Sequence, residues 1–248
     1  MSDPSPTETP GGHRIRSIEL LGLPGAGKST LVDLVGQRPG ALTVPDLVRR
    51  ERLRQRPLLH QRAAIRLMPL ALKLRVLTGP VPDAKDAASF VLAHPSHLDS
   101  VMRASQQVGD EANRGLAVAL LFESWAERAF AARVAQPGES VLFDEAVLQR
   151  LVFLMALLPS GAATDDLIGS VPMPDAVVLL DLPLDLATSR VRGRARGFQL
   201  VDVMQALADR VAELVAELEH HGVPLLVIDA TRPASHSVRD LGDFLERT

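Results

Sequence analysis

The sequence predicts an α/β fold: a doubly wound parallel sheet of five strands carrying a large helical insertion. Two patterns and one turn predict it. Short, largely apolar runs recur at Ile18 to Leu21, Ala41 to Val44, Val141 to Asp144, Ala176 to Asp181 and Leu225 to Asp229. Apolar residues on successive positions, without alternation, mark strands covered on both faces. The stretches between these runs read as helices, so the strands pair in parallel through right-handed crossovers. The turn is Gly22-Leu23-Pro24-Gly25-Ala26-Gly27-Lys28-Ser29-Thr30, which joins the first run to a helix.

That turn has the form of a phosphate-binding loop. Its glycines let the backbone curl with N–H groups pointing inward, where they cradle phosphate oxygens at the positive end of the following helix. Gly22, Pro24, Gly25, Ala26, Gly27, Lys28, Ser29 and Thr30 are the nucleotide-binding candidates. Lys28 would reach the β- and γ-phosphates and Ser29 would ligate magnesium. The following helix runs over Ser29 to Val35 and ends at Gly36.

Leu47 to Val134 is expected to be almost entirely helical, with breaks at Pro57, at Thr78 to Pro82, at His94-Pro95 and near Gly109. This insertion, residues 47–135, would form the acceptor side of a single domain spanning 14–248. Residues 1–13 read as a disordered leader. Nine cations and one acid, Glu51, fall between Arg49 and Arg75; some could bind a phosphorylated acceptor, and most read as a solvated face. A last helix segment, Leu116 to Val134, carries Phe122 and Trp125, three apart, which could flank a ring or belong to the core. Glu123 and Arg128 are polar positions of that helix that could reach the pocket.

With 248 residues, 46% of them hydrophobic, the chain can bury one sizeable core. A net charge of −3 argues against a general nucleic-acid binder, and the absence of cysteine excludes disulfides and thiolate metal sites. No run reaches the length of a membrane span and the N-terminus lacks an apolar signal core, so a cytoplasmic location without a membrane partner is expected. The oligomeric state is open, a homodimer included.

Three strands end in aspartate: Asp144, Asp181 and Asp229. Ligands of open parallel sheets gather at the carboxyl ends of strands, where the phosphate loop also lies. Asp144 is the candidate to hold magnesium against the β- and γ-phosphates. Glu145 competes for that role, and a helix cap is the other reading of such an acid. Arg190, Arg192, Arg194 and Arg196, four arginines within seven residues, come after Asp181; they could close over a triphosphate as a lid, with Arg194 and Arg196 stabilising the transferred charge. A solvated basic helix end is the alternative.

The stretch Val178 to Gly197, with Leu180-Asp181-Leu182-Pro183, Arg190 and Arg194, resembles the strand and lid of the thymidylate kinase and nucleoside kinase group of phosphate-loop proteins. Val227-Ile228-Asp229-Ala230-Thr231-Arg232-Pro233 is similar to that group's last strand and adenine-side loop, which adds Arg232 to the nucleotide-binding candidates. The resemblance implies ATP with Mg²⁺ as donor and phosphoryl transfer to a small-molecule acceptor. Two departures stand out. Glu145 occupies the place of an arginine, with Arg150 a turn and a half later, and Val44-Pro45-Asp46 replaces an Arg-Glu-Pro segment. Asp46 is therefore a candidate for orienting or deprotonating the acceptor hydroxyl, with a helix cap as its other reading. A nucleotide-driven ATPase switch and a nucleotide-binding protein of weak catalysis are the alternative functions. A GTPase is disfavoured because no Asn-Lys-x-Asp segment occurs.

Overall fold

The computed structural model describes residues 15–35, 41–54, 82–193 and 201–247. The expected leader, most of the basic run after Arg54, and Arg194 and Arg196 lie outside the described residues. Five strands form one parallel sheet: β1 (Arg16–Gly22), β2 (Ala41–Thr43), β3 (Ser140–Phe143), β4 (Ala176–Asp181) and β5 (Leu225–Asp229). Their order is β2-β3-β1-β4-β5, with β1 central. Arg16 stands opposite Ser140 of β3, and Ile18 stands opposite Ala176 of β4.

The continuous apolar runs have the cause expected of them, since both faces of the sheet are covered. Leu142 of β3 packs into the larger core with Ile18, Leu20, Leu148 and Leu151. Its neighbours Val141 and Phe143 point the other way, into a second cluster with Leu47, Phe130 and Val134. At β5 the covering thins: as an edge strand it leaves Val227 55% exposed.

The described helices are α1 (Lys28–Val35), α2 (Val44–Arg54), α3 (Ala84–Ala93), α4 (Pro95–Ser105), α5 (Glu111–Val134), α6 (Val147–Ala156), α7 (Asp165–Gly169), α8 (Leu184–Arg192), α9 (Met204–His220) and α10 (Ala234–Arg247). Asp83 starts α3 through a reciprocal capping box with Asp86, and Pro95 sets the first turn of α4. Helix α5 begins at Glu111, five residues before the expected Leu116, because the Asp110 carboxylate accepts from Asn113 N–H at 2.7 Å and caps it there.

Of the two readings of Trp125, flanking a ring or belonging to the core, the structure bears out the core. Its side chain is fully buried, stacked on Phe90 at 5.8 Å between ring centroids and edge-on to His97 at 5.5 Å. Only Phe122 of the pair is partly exposed. His97 is also fully buried, with Nδ1 beside Ser170 Oγ at 3.2 Å, and is a core residue. Arg128 is corrected too. It turns away from the loop to pair with the buried Glu19 of β1, and donates to Ser17 Oγ and Met173 O.

Candidate active site

The loop begins at Gly22, the last residue of the central strand. Its φ of +147° already favours glycine, and a Cβ there would lie 2.6 Å from Leu180 O of β4. Strand and loop therefore approach β4 as closely as backbone allows. Gly25, at φ +89°, rests against α8, where a Cβ would meet Arg190 Cβ at 3.2 Å and Ala187 O at 3.3 Å. The turn is closed by Ala26 N–H donating to Leu23 O at 3.1 Å. It delivers Ser29 and Thr30, both exposed, in the first turn of α1.

Gly22 is held through both of its peptide groups. Lys28 Nζ donates to Gly22 O at 2.7 Å and to Leu23 O at 3.3 Å. Gly22 N–H donates to Gln149 Oε1 at 3.2 Å. Gln149 sits in the first turn of α6, which Glu19 secures from below by accepting from Leu148 N–H at 2.9 Å.

Asp144 follows β3 and reaches the loop: Ser29 Oγ donates to its Oδ2 at 3.3 Å. A hydroxyl and a carboxylate meeting at the mouth of a phosphate loop fit a magnesium ion, which takes one or two protein oxygens and keeps the rest of its shell as phosphate and water. Glu145 was a competitor for that place. Its carboxylate instead pairs with Arg150 at 2.8 Å. Behind them Glu127 of α5 is pushed up to about 7, first by burial and then by the Asp144 carboxylate, with Glu123 and Glu145 adding and Arg150 opposing.

A cavity of about 440 Å³ opens beside the loop. Its floor is Pro24, Gly25 and Gly27 to Thr30, and its walls come from three helices: Asn113, Leu116 and Leu120 of α5, Gln149, Arg150, Phe153 and Leu157 of α6, and Val203 and Leu207 at the start of α9, with Glu145 at the rim. One space thus contains both the phosphate loop and an apolar chamber.

Not every expected site residue lines it. Asp46 does not cap a helix starting at Leu47, because α2 already begins at Val44 and Asp46 lies in its first turn, reciprocally bonded to Thr43: Thr43 N–H and Oγ1 donate to its Oδ2 at 3.1 and 2.6 Å, its own N–H donates back to Thr43 Oγ1 at 3.3 Å, and Arg49 lies 3.7 Å from Oδ1. Arg50 is a structural cation, bonded to Glu139 at 2.6 and 2.9 Å and to Val134 O. Arg190 touches the loop from behind, donating to Gly25 O at 3.1 Å. Arg232 is turned to His236 and Asp240 on the surface, away from the cavity lining. Asp229 of the expected adenine-side loop accepts from Thr231 N–H and Oγ1 at 2.9 and 2.6 Å, which holds its carboxyl below the usual carboxylate range.

Gln149, Phe153 and Leu157 went unremarked in the sequence. A signal was present, because Gln149 and Arg150 are the only polar residues of the ten in α6.

No protein-family model matches this chain, and neither does any curated protein sequence. Solved structures do match it. A deoxyadenosine kinase from M. mycoides with products dCMP and a flexible dCDP bound aligns at 14% identity over 94% of this chain and 100% of that one, with a TM-score of 0.55. The same kinase with bound dATP aligns at 15% identity over 93% and 99%, with a TM-score of 0.52. Its dCTP-bound form gives 16%, 94% and 100%, and 0.50. The fold is that of a P-loop nucleoside kinase. At such identity the likeness is one of architecture, and within this kinase fold it covers the sheet, the loop and the helices around the cavity alike.

Proposed function

We propose that this protein is a phosphotransferase that moves the γ-phosphoryl group of ATP to a hydroxyl of a small-molecule acceptor. The observation that carries the reading is the shared cavity, because a phosphate loop opening directly into a chamber walled in part by apolar side chains can bring donor and acceptor into contact in one space. The fold of nucleoside kinases supports it, and makes nucleosides the first acceptors to try.

The loop amides and Lys28 would bind the β- and γ-phosphates, with Pro24, Ala26 and Thr30 completing the cradle and Arg190 bracing it from behind. Ser29 and Asp144 would hold magnesium, whose charge offsets that of the phosphates when it is bound. Glu145 is the one carboxylate among the described residues lining the cavity, which favours it over Asp46 as the group that orients the acceptor hydroxyl. In the transfer the hydroxyl oxygen forms its bond to the γ-phosphorus as the bond to the departing ADP oxygen breaks, and the hydroxyl proton passes to the Glu145 carboxylate. Arg194 and Arg196 would meet the equatorial oxygens as a lid, and Arg232 would lie on the adenine side. The helices between 47 and 135 would form the acceptor side of a single domain.

The test is nucleotide binding by calorimetry together with ADP release on addition of acceptors, for the parental protein and Lys28→Ala. ATP bound in preference to GTP, acceptor-dependent ADP release, and loss of release in a folded Lys28→Ala protein are expected. Acceptor-independent hydrolysis at the same rate would point instead to an ATPase switch.

A further inference from the structure

Gln149 is fixed on one side and open on the other. Its Oε1 accepts the Gly22 N–H, and since only the oxygen of the amide can accept, this bond also settles which way the Nε2 group faces. The residue is 7% exposed, yet it lines the cavity. No hydrogen bond from Nε2 is made to any described residue. A buried amide whose orientation is locked by the phosphate loop therefore presents two N–H donors to the chamber, and such donors go unpaired unless a ligand or water meets them.

The remaining chemistry of the chamber narrows what that ligand is. Apart from Lys28, which belongs to the phosphate side, the charged groups among the described lining residues are Glu145 and Arg150, and these neutralise each other at 2.8 Å. The apolar part of the described wall is Leu116, Leu120, Phe153, Leu157, Val203 and Leu207, with Asn113 a further neutral polar side chain on it. A charged phosphate placed among them would lose its hydration, and outside the phosphate loop the one cation of the described lining, Arg150, is already paired with Glu145. A flat or compact apolar body would fill them.

Resting on the kinase reading above, we propose that Gln149 selects the acceptor: its Nε2 donates to a carbonyl oxygen or ring nitrogen on a neutral alcohol with an apolar body, while its Oε1 keeps the loop in register. The bond to Gly22 makes recognition and donor positioning parts of a single amide. An alcohol lacking such a group would leave Nε2 unpaired, and a phosphorylated alcohol would find no unpaired counter-charge among the described residues of the chamber wall.

The experiment measures ATP affinity by calorimetry and ADP release with a defined acceptor panel: thymidine, deoxyadenosine, N-benzoylethanolamine, glycerol and dTMP. Transfer to one or more of the first three, with little to glycerol or dTMP, is expected. Two variants separate the two ends of the amide. Gln149→Glu keeps an oxygen for Gly22 N–H, loses the donor and adds a negative charge near the phosphates, so the acceptor KM is expected to rise by about tenfold or more, and by a larger factor than the Kd for ATP. Gln149→Met loses both, weakening ATP binding as well as acceptor binding. A parental acceptor KM in Gln149→Glu would overturn the assignment and leave Gln149 as a loop support only. Transfer preferring dTMP or glycerol, or no transfer to any neutral acceptor by a protein that binds MgATP, would overturn the acceptor class. Failure of the parental protein to bind ATP would remove the kinase reading itself, and is recorded separately from the other outcomes.

Discussion

Arg128 of α5 and Glu19 of β1 are paired inside the protein, with side chains 14% and 1% exposed. Burial raises the Glu19 carboxyl above its usual range, and the Arg128 guanidinium and the Leu148 N–H oppose that rise. The pair ties helix α5 to the strand that carries the phosphate loop. Removing one partner leaves the other buried and unsatisfied. Arg128→Met is therefore expected to lower unfolding stability by about 3 kcal/mol in urea titrations. The double variant Glu19→Gln, Arg128→Met should regain a substantial part of that loss, and strict additivity would show that the pair does not act as a unit.

Gly22 and Gly27 should respond to the same substitution differently. Gly22→Ala forces a Cβ to within 2.6 Å of Leu180 O in the middle of the sheet, whereas a Cβ at Gly27 meets nothing within 4 Å and only the φ of +96° resists it. The first should cost about 3 kcal/mol of stability and the second about 1 kcal/mol. Chemical denaturation of the two variants checks the order, and equal losses would contradict the close approach of β1 to β4.

Magnesium dependence should run through Ser29 and Asp144. Ser29→Ala and Asp144→Asn are each expected to lower kcat on the order of a hundredfold and to reduce the effect of Mg²⁺ on ATP affinity, while metal-free ADP binding stays near parental. Calorimetry with and without the ion decides it. An undiminished magnesium effect in Asp144→Asn would move the ion to another carboxylate.

The half-buried Glu127 and the buried His97 should give stability opposite slopes with pH in metal-free buffer. Glu127, facing Asp144, Glu123, Glu145 and Arg150, is raised from 4.5 to about 7, so the folded protein holds its proton more tightly than the unfolded chain does. Its contribution is full below about pH 4.5 and is lost as pH rises to 7. His97 is lowered from 6.5 to about 4, by burial first and then by His94, so its contribution is full above pH 6.5 and is lost as pH falls toward 4. Glu127→Gln should be more stable than the parent at pH 8, on the order of 2 kcal/mol, with the gain vanishing near pH 4. His97→Phe should flatten the acid limb. Melting temperatures across this range read both effects.

The strands were legible because a parallel sheet covered on both faces leaves no room for polar alternation, and the loop because few residue types permit its turn. Function-bearing side chains were harder to read. Glu19 interrupts an otherwise apolar central strand, and a buried acid implies a buried cation, but its partner Arg128 lies too far along the chain for spacing to reveal it. Trp125 looked available because helical periodicity does not say which neighbours cover a face, and Phe90 and His97 come from other helices. In the sequence Asp46 reads as a cap before Leu47, but Thr43, three residues earlier, takes that place, and the helix starts at Val44. Gln149 was hidden by its setting, an apolar helix that reads as pure core until β1 is placed beneath it.

The central place of β1 sets the order in which this molecule can be built. Its two partners, β3 and β4, leave the ribosome only after the long helical region, so the first strand and its loop must wait, unpaired, while most of the chain is made. Pairing of such distant segments is slow and leaves apolar strands exposed in the interval. The nucleotide site, encoded near the start of the chain, is thus among the last parts to exist. Bound ATP would report synthesis at least through β4, because chains ending before β4 carry the whole phosphate-loop sequence but only the β2-β3-β1 part of the sheet on which to shape it.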